Sequence, residues 1–165
     1  PIAPVFEVMV RPNHWERQLQ AIAQETRQMS SLGQFRKEFW TEYVARYASE
    51  TAYGPVYGVG HRWHLLEALD LVVSLYMAKT EVGVYIRGPE KTQGVDIYQR
   101  LLPHADRLSQ LTDAELGKPE REHFFARTCK GDPYDKAQWD VLMDWLHATA
   151  NAYEAALQDI FGGQS

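Results

Sequence analysis

The sequence predicts an α+β domain in which a small, mostly antiparallel sheet packs against long helices. Three observations carry this expectation. Two apolar, β-branched runs, residues 71–77 and 82–87, flank a short polar connection at 78–81 and read as an antiparallel hairpin. Trp139, Leu142, Leu146, Tyr153, Leu157 and Ile160 recur at helical spacing near the end of the chain. The order of elements is strand, helices, hairpin, helix, strand, long helix, which segregates helices against a sheet. A chain of 165 residues with 45% hydrophobic content is expected to form a single domain over 1–165. At that size folding buries roughly 68–70% of the unfolded surface.

Taken in order, residues 4–10 read as a strand, because Val5, Phe6, Val8, Met9 and Val10 form an apolar, β-branched run that Pro12 ends. Asn13 is a good N-cap with Glu16 placed to close a capping box, and Leu19, Ile22, Ala23 and Met29 follow at helical spacing. A second helical series, Leu32, Phe35, Phe39, Tyr43 and Tyr47 joined by Trp40 and Val44, gives a wide aromatic face that must turn to the core. Gly33 either splits this stretch into two helices or sits inside one at a cost of about 1 kcal/mol. Residues 53–60 interleave Gly54, Pro55, Gly58 and Gly60 with Tyr53, Val56, Tyr57 and Val59, as a loop or an irregular edge strand.

After the hairpin, Gly88 and Pro89 end the strand. Ile97, Tyr98, Leu101, Leu102, Leu108 and Leu111 then mark a helical region over 95–116. Pro103 should kink it or start a second helix, and Gly117 should cap it. Residues 122–128, around Phe124 and Phe125, read as a strand. The last helix is expected to open with Asp132 as N-cap, Pro133 in its first position and Asp135 in its first turn, and to run to Phe161. Trp40, Trp139 and Leu146 are expected to be largely buried.

Charge and cysteine content bound the function. The 17 Lys and Arg against 22 Asp and Glu leave a formal net charge of −5, which opposes a generic polyanion binder while leaving a local basic patch open. The single cysteine, Cys129, excludes an intrachain disulfide and a multi-cysteine zinc site, and reads as a small residue near a strand end. No apolar run approaches the roughly 20 residues that span a bilayer. The start lacks the basic and apolar regions of a signal peptide. The expected location is the cytoplasm, with no membrane partner.

A scatter of landmarks runs through the chain: Phe6, Glu7 and Val8 before Pro12, Asn13 and Trp15; Glu38, Phe39 and Trp40 on a helix; Val82, Gly83, Val84, Tyr85 and Ile86 on a strand; Gly131, Asp132 and Pro133; then Trp139, Trp145 and Leu146. In that order and spacing they resemble a bacterial family, domain of unknown function 4268, over about residues 5–161. Members often sit C-terminal to a nuclease-like domain in proteins that look restriction- or defence-related. The resemblance implies such a system, and with no assembled nucleophile, metal-ligand or carboxylate-pair signature in the chain a non-catalytic recognition or assembly module is expected, with DNA or a nuclease-like domain or subunit as partner. The alternative is a homo-oligomeric interaction domain with no nucleic-acid role, since five Trp and nine Tyr are types enriched at interfaces. The stretch matching Phe6 to Trp15 looks like the junction leaving the nuclease-like domain, so the chain is either a stand-alone version or a piece of a longer protein. One segment departs from the family pattern: where relatives look like a Gly-Arg-Ser-Gly turn followed by a strand, this chain has Gly60, His61, Arg62, Trp63 and His64.

That segment is also the best local candidate for a site. His61, Arg62 and His64 stand beside Tyr57 and Trp63, with Arg87 as a further cation, and such a set could hold a phosphate or an unstacked base. Decoration of a glycine-rich loop is the plain alternative. A metal held by His61 and His64 is a third reading, but no Cys or carboxylate stands at a matching spacing. His14, His104, His123 and His147 are scattered over separate elements. Asp132 and Asp135 are explained by helix capping, and Asp140 and Asp144 by a solvated helix side. No catalytic residue, metal or cofactor is expected. A competing enzyme reading comes from Pro1, Ile2, Ala3 and Arg11, which look like the start of the oxalocrotonate-type tautomerases, where a secondary amine serves as general base.

Overall fold

The computed structural model describes residues 31–163 together with Gln18. The expected strand at 4–10, the helix after Asn13 and the Pro1–Arg11 segment lie outside the described residues. Four strands make an antiparallel sheet in sequence order: β1 (His61–Leu66), β2 (Leu71–Met77), β3 (Glu81–Arg87) and β4 (Phe124–Lys130). Helix α1 (Ser31–Arg46) precedes it, α2 (Gly94–Leu101) and α3 (Ala105–Thr112) connect β3 to β4, and α4 (Trp139–Phe161) follows. This is the expected α+β architecture.

The strand period places one face of the sheet against α4. Leu71, Val73 and Leu75 of β2 alternate with residues of the opposite face, and Val73 and Leu75 stand opposite Ile86 and Val84 of β3. Onto this face α4 lays Leu142, Met143, Leu146, Ala150, Tyr153 and Leu157, spaced three and four apart, and all are buried. Phe39, Trp40 and Tyr43 of α1 join the same core. Trp40, Trp139 and Leu146 are 1%, 7% and 0% exposed, so all three belong to the core as expected. No helix among the described residues is long and apolar enough to cross a membrane.

The hairpin closes where the Ala78 N–H donates to the Glu81 carbonyl. Glu81 also receives the Tyr76 hydroxyl at 2.7 Å and the Lys130 ammonium at 3.1 Å, which joins three strands at one corner. Gly83 makes this corner possible. A Cβ there would lie 2.3 Å from the Tyr76 ring, so the phenol rests on bare backbone. Gly83→Ala is expected to expel Tyr76, break its bond to Glu81 and lower stability by about 1–3 kcal/mol. Urea unfolding checks this. Adding Tyr76→Ala to the Gly83→Ala chain should cost little more, because the clash is then gone.

Four sequence expectations are corrected. Residues 61–64 form the first four residues of strand β1, not a glycine-rich loop; the loop ends at Gly60. The cap of α3 is Asp113, held left-handed at φ 57° with its N–H on the Ser109 carbonyl, and Gly117 (φ 87°) turns the later loop. Strand β4 begins at Phe124, since Glu122 is left-handed and closes a 3₁₀ turn; it extends to Lys130 through pairing with Glu81. The α4 helix begins at Trp139. Asp132 and Asp135 instead accept from the Tyr134 and Ala137 N–H groups, two residues on, and so form turns before the helix. Other expectations hold: Pro103 separates α2 from α3, and Gly33 lies inside α1.

Candidate functional site: an aromatic cleft on the sheet edge

Strand alternation divides the expected site. β1 is an edge strand, so His61, Trp63 and Leu65 point to one face and Arg62 and His64 to the other. On the first face Trp63 meets Arg87 of β3, whose guanidinium carbon lies 4.1 Å from the ring centroid, a cation–π contact. His61 sits 5.8 Å from Trp63, and Tyr57, in the preceding loop, is 50% exposed. Tyr57, His61 and Trp63 line a cleft of about 260 Å³ together with Trp40, Tyr53, Arg62 and Glu90. Trp40 fixes the loop from below by donating its indole N–H to the Val59 carbonyl at 3.0 Å.

Arg62 and His64 belong to the interior, at 6% and 1% exposure. Their partner is Glu50, itself 2% exposed, on the 3₁₀ turn Ala48–Tyr53. One Glu50 carboxylate oxygen accepts from Arg62 Nε at 3.0 Å and lies 2.8 Å from His64 Nε2. The Arg62 Nη2 donates to the Glu50 and Gly54 carbonyls, and Nη1 to that of Pro55. Four of its five N–H groups are therefore bound within the protein. This arginine shapes the loop that walls the cleft. It is not a free cation for a phosphate.

His64 is held between two carboxylates. Its Nδ1 stands 3.7 Å from Glu154 of α4, and the Tyr53 ring stacks on the imidazole at 3.9 Å. Tyr53 donates its hydroxyl to the same Glu154. Burial alone would depress the imidazole pKa, but the Glu154 and Glu50 carboxylates outweigh it and raise the value above the ordinary 6.5. Burial also works against the Glu154 carboxylate, which His64 and Tyr53 nevertheless hold below its ordinary value. His61 behaves in the opposite way. Desolvation at the cleft wall, then the charge of Arg87, lower its pKa. The two histidines therefore titrate on opposite sides of the ordinary value, His64 above it and His61 below it.

Folding stability should carry the signature of His64. Its folded pKa is raised, so its contribution is fully present below 6.5 and is lost as pH rises through the folded value. His61 and His123, both lowered by desolvation and then by Arg87, act in the other direction below 6.5. The stability difference between parent and His64→Gln isolates the effect. It should shrink as pH rises from below 6.5 through the folded value, as measured by urea midpoints.

The sequence did not single out Glu50, Tyr53, Glu154 or Glu90. Glu154 carried a signal, as an acid one residue from Tyr153 on the border of the apolar stripe of α4. Asp140 and Asp144, read as a solvated helix side, also bind α4 to α1, through Arg46 at 2.5 Å and through the Tyr47 hydroxyl. Among the described residues, no three His, Cys, Asp or Glu side chains gather as a metal site.

Fold and cleft together define an α+β domain with an aromatic recess at the edge of its sheet. The chain belongs to the family described as domain of unknown function DUF4268, which it matches over residues 35–160. Glu38 to Trp40, Val82 to Ile86 and Trp139 to Leu146 fall within that match, and Phe6 to Trp15 fall outside it. No curated protein and no solved structure matches the chain.

Proposed function

We propose that this domain is a non-catalytic recognition module of a restriction- or defence-type nuclease system, and that it holds single-stranded nucleic acid in the cleft beside β1. The family resemblance supplies the setting. One observation supports the ligand: Tyr57 and Trp63 present aromatic surface in a recess flanked by His61, with Arg87 stacked on Trp63. Base stacking on such rings contributes about 1–3 kcal/mol per base and tolerates any sequence. The net charge of −5 argues for weak, local contact rather than a long electrostatic track.

The test is titration of a short single-stranded oligonucleotide at low salt, followed by tryptophan fluorescence. Tyr57→Ala and Trp63→Ala should each weaken binding by about tenfold. Absence of binding by the parent at low salt, at neutral and at acidic pH, overturns the reading. Sedimentation that shows concentration-dependent mass in that case makes assembly through a second copy the function.

A further inference from the structure

The aromatic groups of the cleft continue across the outer face of the sheet. Trp63 on β1 and Tyr85 on β3 both stand opposite Ser74 of β2, in one row. Two strand spacings of about 4.8 Å set their Cα atoms about 10 Å apart. His123, exposed just before β4, holds its ring on Tyr85 at a centroid distance of 4.1 Å. Arg87, two residues beyond Tyr85 and outside the recess, lays its guanidinium on Trp63, and its charge acts on both His61 and His123. Its Nε donates to the Gly88 carbonyl, while its two terminal nitrogens have no hydrogen-bond or ion-pair partner among the described residues.

Strand β4 is bent so that this row stays clear. Its register against β3 shifts between Val84 and Ile86, opposite Tyr85, and Phe125 at that point is left-handed at φ 54°. A bulky residue holds such a conformation only under constraint from its surroundings. Regular alternation would send Phe125 to the outer face once Phe124 has turned inward. The bulge instead puts both rings in the core, at 0% exposure, and gives the outer position to the exposed Ala126. A phenylalanine on the outer face would crowd Tyr85 and His123.

We propose, resting on the nucleic-acid reading above, that a single strand runs from the cleft across this face, with one base on Trp63, a second on His123, and a phosphate of the backbone between them on the free Arg87 nitrogens. Neighbours stacked in a nucleic-acid helix lie about 3.4 Å apart along each strand. Rings about 10 Å apart therefore select a strand whose bases are unstacked, and a duplex does not fit them. Histidine is one of the side chains on which splayed bases stack, and a guanidinium grips a phosphate with two parallel N–H bonds. The charge of the face agrees. Glu81 is already bound by Lys130 and the Tyr76 hydroxyl. Beside His123 the charge of Glu122 is opposed by those of Arg87 and Arg121. Glu90 lines the recess, where it disfavours a phosphate and leaves that place to a base.

The probe is a tetranucleotide of thymine, titrated at low salt against the parent and its variants. His123→Ala should weaken binding about tenfold, the effect of losing one stacked base, and His123→Phe, which keeps a ring, should bind as the parent does. Arg87→Gln should weaken binding and flatten the slope of log K against log salt by about 0.7, the share of one phosphate on a single strand. A duplex with the same number of base pairs should bind about tenfold more weakly than the single strand, because its bases must first leave the stack. If His123→Ala and Arg87→Gln bind like the parent while Trp63→Ala does not, the path across the sheet is overturned and the cleft reading stands. If His123→Phe is as weak as His123→Ala, stacking at the second position is overturned. If the parent binds duplex as tightly as single strand, or binds no strand at low salt, both readings fail.

Discussion

Glu50→Ala is expected to destabilise the domain by about 3–5 kcal/mol, the cost of leaving a buried charge without its partner. Glu50 is 2% exposed, and one of its oxygens meets both Arg62 and His64. Removal of the carboxylate leaves a guanidinium and an imidazole side by side in the interior. His64 can shed its proton, because its pKa is held up by the carboxylates. Arg62 cannot. The measured quantity is the urea midpoint, with Glu50→Gln as the shape-preserving control. Glu50→Ala combined with Arg62→Met should recover part of the loss, because a hydrophobic side chain then replaces the orphaned charge. A Glu50→Ala protein as stable as the parent would show that the cluster is solvated in solution.

Trp139→Ala should have an effect of similar size, about 3–5 kcal/mol, for a different reason. The ring is 7% exposed and packs edge-on against Phe35 and Phe39 at centroid distances of 5.7 and 5.5 Å. Its indole N–H donates to the Pro133 carbonyl at 2.7 Å. Alanine opens a cavity at the junction of α1 and α4 and also removes the bond that fixes the turn before α4. For a domain of this size the expected fall in Tm is about 6–20 °C. Trp139→Phe should lose less, since it keeps the aromatic packing and gives up only the hydrogen bond. An unchanged Tm for Trp139→Ala would place the ring outside the core.

Much of the fold was legible from local pattern. The hairpin follows from two apolar, β-branched runs around a short polar connection, the break between α2 and α3 from Pro103, and the stripe of α4 from apolar residues recurring every three to four positions. The strand β1 was hidden for a physical reason. Its buried face carries Arg62 and His64, whose burial is made possible by Glu50, twelve and fourteen positions earlier in the chain and reached only through tertiary folding. Polarity therefore marked as loop what pairing made strand. The candidate site was half legible. Tyr57, His61 and Trp63 do share one cleft, and Arg87 does reach it through Trp63. The assignment of Arg62 and His64 to the same surface overlooked the alternation of a strand. The start of α4 was misplaced because Asp-Pro is an equally good signal for a turn. Only the Tyr134 and Ala137 N–H groups, each bound by an aspartate, distinguish the two.

The bonds that hold the cleft wall have a consequence for the order of events during synthesis. Tyr53, stacked on His64, reaches Glu154; Tyr47 reaches Asp144; Arg46 reaches Asp140. Each pairs a residue near the start of the described chain with one on α4, about a hundred positions later. A nascent chain can therefore form the β2–β3 hairpin by local contacts before Tyr53, which lines the recess, meets its partner on α4. Contacts of such sequence separation close late, and they close slowly. A ribosome emits the chain at roughly 5–20 residues per second, so several seconds separate the exit of Tyr53 from that of Glu154. Until α4 docks, the two histidine-facing carboxylates cannot both be in place, and the cleft wall becomes a property of the completed domain.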